Sequence, residues 1–265
     1  YMREELFPPM VEALHKLGGI PIKPILAESM QMGDETHPRQ TACDYIYDRL
    51  MLPALFELDR PKKEIMKTVR YIVDTPRFFH CYGQAAARAA LVAADGTEYS
   101  TMVTAVCGNG VEFGIKIASL PGQWFTAPAP MMKGRYTSSE FTEKDQLPWM
   151  GDSCVVECYG MGGFAAAASP IVCNLRGMTL KESIGQTKEM YRITMEKNYN
   201  FPIPNLDFDF LPVGIDIRKV LKEGVCPAIH GGMFNRVGGL IGAGMARVPM
   251  QCFEKALVAF GEKYL

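Results

Sequence analysis

The sequence predicts an α+β protein: an N-terminal helical bundle over residues 1–95, then a complex mixed α/β domain with a β-hairpin over 96–265. Three observations carry this reading. Helical periodicity dominates the first third and stops at Asp95-Gly96. An Asn-Gly pair between two β-rich runs marks a hairpin just after that stop. Capped helical segments and glycine-rich stretches then fill the chain to its end, with no internal repeat and no low-complexity linker.

Pro8 and Pro9 suit the first turn of a helix whose apolar stripe is Met10, Val11, Leu14 and Leu17, and Gly18-Gly19 stop it. Further helices are expected over 22–32, over 41–58 with a bend near Pro53, over 61–73 and over 79–94, where AAARAALVAA has high helix propensity. Short connections between them suggest a compact bundle. Residues 101–106 and 111–118 read as strands; Val111, Phe113, Ile115 and Ile117 share one face. Asn109-Gly110 closes the hairpin, because both residues tolerate positive φ. Residues 123–127 can add a strand, and 131–150 read as an exposed excursion or lid. CVVECY is strand-like, Thr179 and Glu182 form a capping box for a helix reaching about residue 196, and later helices fall at 215–222 and 250–264.

A net charge of −1 and 22% charged residues give no general attraction to nucleic acid or to an anionic membrane. Any bound anion needs a local site. The eight cysteines form no CxxC pair and read as buried thiols of a cytoplasmic protein. Cys154, Cys158 and His230 lack a further ligand pair, so no metal is expected, and no cofactor motif calls for one. The apolar stretch 160–175 contains Pro170 and Asn174 and falls short of the ~18–20 residues of a membrane span. A phosphate loop, a GxSxG elbow and an HExxH motif are all missing.

Four polar stretches remain. QMGDETHPRQ gathers Asp34, Glu35, His37 and Arg39, either as a solvated helix junction or as a substrate-handling cluster. GDSCVVECYGMGG sets Asp152 and Glu157 before Gly162 and Gly163, and a carboxylate in so apolar a segment as Glu157 needs a partner. The glycines match G-x-G-x-x-A without the acidic residue that a dinucleotide site wants; they either pack closely or offer N–H groups to a phosphate or carboxylate. In PVGIDIRKVL, Asp216 suits a helix cap, while Arg218 and Lys219 suit a small anion or solvent, and Arg236 and Arg247 flank the late glycine cluster.

Read in order, QMGDETHPRQ, NGVEFGIKIASLPGQWFTAPAP, GDSCVVECYGMGGFAAAASP, FPIPNLDF-x-x-x-PVGIDIRKV and GGLIGAGMARVPMQCFEKAL resemble the YlbE/YahG-like family, the domain of unknown function 1116. The resemblance covers nearly the whole chain. It implies a small helical bundle attached to a complex α/β domain. It also implies a further N-terminal region, which fits a chain opening on Tyr1. The family includes a subunit of the oxamate carbamoyltransferase of anaerobic allantoin breakdown, which interconverts oxalurate and phosphate with oxamate and carbamoyl phosphate. Three departures stand out. His37-Pro38-Arg39-Gln40 replaces the usual H-N-R-N, Gly108 stands where relatives commonly carry an arginine, and Glu112 replaces an aspartate.

The resemblance therefore implies carbamoyl transfer between small anionic metabolites, within an oligomer that includes partner subunits. On that expectation Arg39, Arg218, Lys219 and Arg247 neutralise substrate charge. Asn109, Gly110, Asp152, Gly162, Gly163 and Asp216 complete the binding set, and His37 is acid or base beside Asp34, Glu35 and Glu157. The competing class is a ligand-binding or assembly subunit without chemistry of its own, consistent with the 17 methionines and no recognisable nucleophile. Convergence of the polar stretches on one cleft separates the two classes.

Overall fold

The computed structural model describes the backbone of all 265 residues and every side chain except that of Leu175. A π-helical turn, Met2–Leu6, runs into α1 (Phe7–Lys16). Then come α2 (Ile22–Gln31), α3 (Thr41–Phe56, with Pro53 inside it), α4 (Lys62–Asp74) and α5 (His80–Val92). Their inward stripes are spaced as helices require: Ile25, Leu26 and Met30 on α2, and Ile65, Val69 and Ile72 on α4.

Strands β1 (Val103–Asn109) and β2 (Glu112–Ile117) form the hairpin, with Cys107 opposite Gly114. Asn109 Oδ1 accepts the Val111 and Glu112 N–H groups, and Gly110 takes φ +86°. After β3 (Phe125–Pro128) come β4 (Lys133–Tyr136) and β5 (Met150–Gly151), which complete an antiparallel sheet of order β3-β2-β1-β5 and add β4 to a second one. The excursion over 131–150 is thus anchored, with Met132, Gln146 and Trp149 buried.

The CVVECY segment is not a strand. Val155–Cys158 is a short helix, α6, followed by a 3₁₀ run, Gly162–Ala168. Residues 154–158 are buried on every side, so their apolar character has no period to distinguish helix from strand. Then follow α7 (Pro170–Leu175) and α8 (Leu180–Met190), the latter opened by the Thr179 and Glu182 capping box. Helix α8 ends earlier than the sequence suggests, because β6 (Thr194–Ile203) needs its residues for pairing with β7 (Asp209–Ile215). Next come α9 (Ile217–Glu223), β8 (Ala228–Phe234), β9 (Leu240–Arg247) and α10 (Met250–Tyr264).

The second sheet has order β4-β9-β8, which leaves β8 at an edge. Its glycines fit close neighbours: a Cβ on Gly231 would stand 2.7 Å from the Trp149 ring, and one on Gly134 2.1 Å from the Ala243 carbonyl oxygen. One continuous apolar core joins Leu26, Met30, Tyr47 and Phe79 of the helical part to Val106, Ile115, Phe164, Ile229 and Phe253. Five of the eight cysteines are buried; Cys81 is exposed, and Cys107 and Cys226 are half-buried.

Candidate active site

The turn between α2 and α3 is held from inside. Asp34 Oδ2 accepts the N–H groups of Ala42 (2.8 Å) and Cys43 (3.1 Å), two donors in the first turn of α3 that have no intrahelical partner. Arg39 Nε lies 3.0 Å from Asp34 Oδ1 as an ion pair, at an angle that is not a hydrogen bond. Burial pushes the Asp34 carboxyl up, against the pull of those N–H groups and Arg39. Asp34 and Arg39 therefore shape the turn, and the turn delivers His37 to the interior.

His37 is 5% exposed and bonded at both ring nitrogens. Its Nδ1 lies 2.9 Å from Glu157 Oε1 and its Nε2 lies 2.9 Å from Ser153 Oγ. A carboxylate accepts only, which places the proton of a neutral ring on Nδ1 and leaves Nε2 to accept from the serine hydroxyl. Glu157, 1% exposed, is fixed by two further donors to the same oxygen: Gly163 N–H at 3.0 Å and His230 N–H at 2.9 Å. Gly162 gives its N–H to the Glu35 carbonyl oxygen at 2.7 Å, and a Cβ there would stand 2.2 Å from Glu157 Oε1. The N–H groups of Gly162 and Gly163 are thus committed within the chain.

Ser153 and His37 open on a cleft of about 450 Å³, lined also by Arg77, His80, Gln84, Trp149, Asp152, Gly231 and Gly232. The Asp44 carboxylate fixes Arg77 at the cleft wall by accepting the backbone N–H groups of Arg77 and Phe79 at 2.7 and 2.8 Å. His80 receives a hydrogen bond from Gln40 Nε2 on its Nδ1 at 2.6 Å. Burial, then the neighbouring His37 and Arg77, push its imidazole down to about 4, so it is neutral across the physiological range. Asp152 Oδ1 accepts from Gln84 Nε2 at 2.9 Å.

Behind the triad lies a buried polar layer. Burial raises Glu35 to about 7 despite the opposing pull of Arg176 and His37. Arg176 Nη1 stands 2.6 Å from His230 Nδ1, and burial lowers both groups, His230 strongly. Gln186 Nε2 donates to the Gly163 carbonyl oxygen at 2.7 Å, bracing the glycine turn that holds Glu157.

The other expected positions lie elsewhere. Asn109 and Gly110 form the hairpin tip and do not line the cleft. Asp216 caps α9, accepts from Thr101 Oγ1 at 2.8 Å and pairs with Arg218 at 3.1 Å. Burial opposes its ionisation, but those partners hold it below the usual carboxylate range. Lys219 donates to the Thr194 carbonyl oxygen, and Arg247 pairs with Glu189 at 2.6 Å beside a separate surface depression. At Gly108 a Cβ would meet Trp149 at 2.7 Å, so no side chain reaches the cleft from that position. Ser153, Arg77, His80, Arg176 and His230 were not expected as site residues. Ser153 alone had a readable signal, four residues before Glu157.

Residues 1–153 match the family described as oxamate carbamoyltransferase subunit AllG. The chain belongs to the AllG family. The uncharacterized protein YahG of Escherichia coli strain K12 is 35% identical over 266 residues, covering 100% of this chain and 56% of that protein. The oxamate carbamoyltransferase subunit AllG of the same organism is also 35% identical, covering 99% of this chain and 63% of that one. The crystal structure of a conserved protein of unknown function from Enterococcus faecalis V583 matches 98% of this chain and 63% of its own, with a TM-score of 0.95 at 36% identity. This AllG-family chain thus spans less than two thirds of the length of each. No helix among its described residues is long and apolar enough to cross a membrane.

Proposed function

We propose that this chain is a subunit of a transferase moving a carbamoyl group between small anionic molecules in the cytoplasm, with the chemistry at the His37 cleft. The observation that carries this reading is the hydrogen-bonded arrangement of Ser153, His37 and Glu157, opening on a cavity with a cation in its wall. An imidazole oriented by a fixed carboxylate accepts a proton at its unprotonated nitrogen, here Nε2, and returns it later, as transfer between oxygen and nitrogen requires. Arg77 supplies a planar fork suited to carboxylate or phosphate. Carbamoyl phosphate and oxamate are the proposed substrates, in keeping with the name of the AllG relative, and that name's word subunit favours action with partner chains.

The test is isothermal titration of carbamoyl phosphate and oxamate, with turnover assays, on the full-length protein alone and with partner subunits. Binding and turnover lost in His37→Ala support the reading. No binding and no turnover in any combination would overturn it.

A second reading, an assembly or ligand-binding subunit, has its own observation. An apolar depression of about 560 Å³, lined by Phe7, Met10, Val11, Leu14 and Phe78, lies on the α1 side of the helical part. A role confined to assembly is the reading left standing if His37→Ala turns over as wild type does.

A further inference from the structure

Resting on the carbamoyl-transfer reading, we propose that Ser153 is the nucleophile of the reaction and carries the carbamoyl group as a covalent ester between donor and acceptor. No motif announces it, because the serine sits outside any GxSxG elbow. The geometry is nonetheless that of an activated hydroxyl. Ser153 Oγ is 2.9 Å from His37 Nε2, and the opposite ring nitrogen is 2.9 Å from a carboxylate oxygen that two backbone N–H groups hold in place. The nucleophile and the orienting acid lie 116 and 120 residues after the base in sequence. Such a constellation is defined by roles and distances, not by order in the chain.

The cleft also offers a donor for the developing oxyanion. Along a strand, alternate N–H groups point to the same edge. His230 N–H leaves the free edge of β8 to reach Glu157, so the N–H of Gly232, two residues on, leaves that edge in the same direction. Gly231 and Gly232 line the cavity together with Ser153 and His37. Trp149 packs where a Cβ of Gly231 would lie, which keeps the strand backbone itself as the wall.

The reaction balances in two steps. Ser153 Oγ bonds to the carbamoyl carbon while the bond from that carbon to the leaving oxygen breaks, its electron pair departing with the leaving group. The hydroxyl proton moves to His37 Nε2 and on to the leaving oxygen. The acceptor nitrogen then attacks the ester and gives a proton to His37 Nε2. The carbon–Oγ bond breaks, and Oγ keeps the pair and takes that proton. Donor and acceptor exchange one carbamoyl group, and the enzyme returns unchanged.

The experiment uses the full-length protein with its partner subunits, carbamoyl phosphate with oxamate withheld, and peptide mass spectrometry. An alkali-labile carbamoyl group on the Ser153 peptide, discharged when oxamate is added, supports the proposal. So does a loss of turnover on the order of 10³-fold or more in a folded Ser153→Ala variant, with partial activity in Ser153→Cys. An alkali-stable label on lysines alone is adventitious carbamylation and counts against it. Turnover within about tenfold of wild type in Ser153→Ala, with His37→Ala inactive, overturns the covalent step and leaves the transferase reading intact. If the wild type transfers no carbamoyl group at all, the transferase reading fails. Labelling of Ser153 by a fluorophosphonate then still supports the nucleophile, and its failure to label overturns it.

Discussion

His37 and His80 stack face to face, with ring centroids 5.5 Å apart and planes within 4° of each other. Burial, and then His37 and Arg77, push the His80 imidazole in that stack down to about 4, so it stays neutral near pH 7. Unfolding releases it to an ordinary histidine value near 6.5. The unfolded chain therefore binds the extra proton first, and stability is lost as pH falls from about 6.5 toward 4, by up to about 3 kcal/mol from this group. His80→Phe keeps a ring against His37 without the titration. Urea midpoints at pH 7 and pH 5 should lie closer together in that variant than in wild type; equal pH dependence would count against the assignment.

Glu35 works in the opposite direction. Its carboxyl is raised to about 7 by burial, so the folded state holds a proton that the unfolded chain releases near 4.5. Its contribution is present at acid pH and is lost as pH rises through 7, by an amount on the order of 3 kcal/mol. Glu35→Gln should leave stability near wild type at pH 5 and exceed it at pH 8. The Glu35 carbonyl oxygen keeps its bond from Gly162 in the variant, so the glycine turn stays in place. Thermal melts across pH 5–8 decide it, and a variant less stable than wild type at pH 8 would refute the buried-acid reading.

Many of the helices were legible because their stripes recur every three to four residues over long segments, as on α4 and α10. The β1–β2 hairpin was legible through Asn109-Gly110. Strands β8 and β9 were not, since glycine has poor strand propensity and their fit depends on partners distant in sequence, such as Trp149 against Gly231. The site divides in the same way. His37 and Glu157 stood out as polar residues in improbable surroundings. The four-residue spacing of Ser153 from Glu157 was not legible, because the residues between them, in CVVECY, read as strand-like. On a strand, Ser153 and Glu157 would stand ~13 Å apart, too far to share one imidazole, whereas on a helical turn they stand ~6 Å apart along the axis. Arg218, Lys219 and Arg247 drew notice by charge alone, and charge does not reveal that Asp216, Thr194 and Glu189 already occupy them.

Arg77 is the cation on the wall of the His37 cleft, and Asp44 fixes its backbone, not its guanidinium. Among the described residues no hydrogen bond or ion pair engages that guanidinium, which leaves it able to meet an anion. A charge-assisted pair of this kind is worth roughly 1.5–3 kcal/mol, or about 10- to 100-fold in affinity. Arg77→Gln should raise KM for the anionic substrate by that factor and change kcat less. Because the residue has φ +64°, the variant's fold needs a melt beside the kinetics. An unchanged KM in a folded variant would remove Arg77 from the binding set.

The glycines separate positions that hold the site from one that does not. At Gly163 a Cβ would lie 2.3 Å from the Ala228 carbonyl oxygen, a backbone atom that cannot swing aside. At Gly162, with φ +56°, it would lie 2.2 Å from the Glu157 carboxylate. Gly162→Ala should therefore displace Glu157 from His37 and lower kcat by at least about 10²-fold, even where the protein stays folded. Gly163→Ala should destabilise by several kcal/mol, on the order of 3 or more. Gly185, inside α8, has open space within 4 Å of where a methyl group would sit and no positive φ, so Gly185→Ala should stabilise by about 0.5–1 kcal/mol through helix propensity. Chemical denaturation of the three variants tests the set. A Gly162→Ala protein that is both folded and fully active would show that Glu157 does not need its present position, and with it the orienting role of that carboxylate would fall.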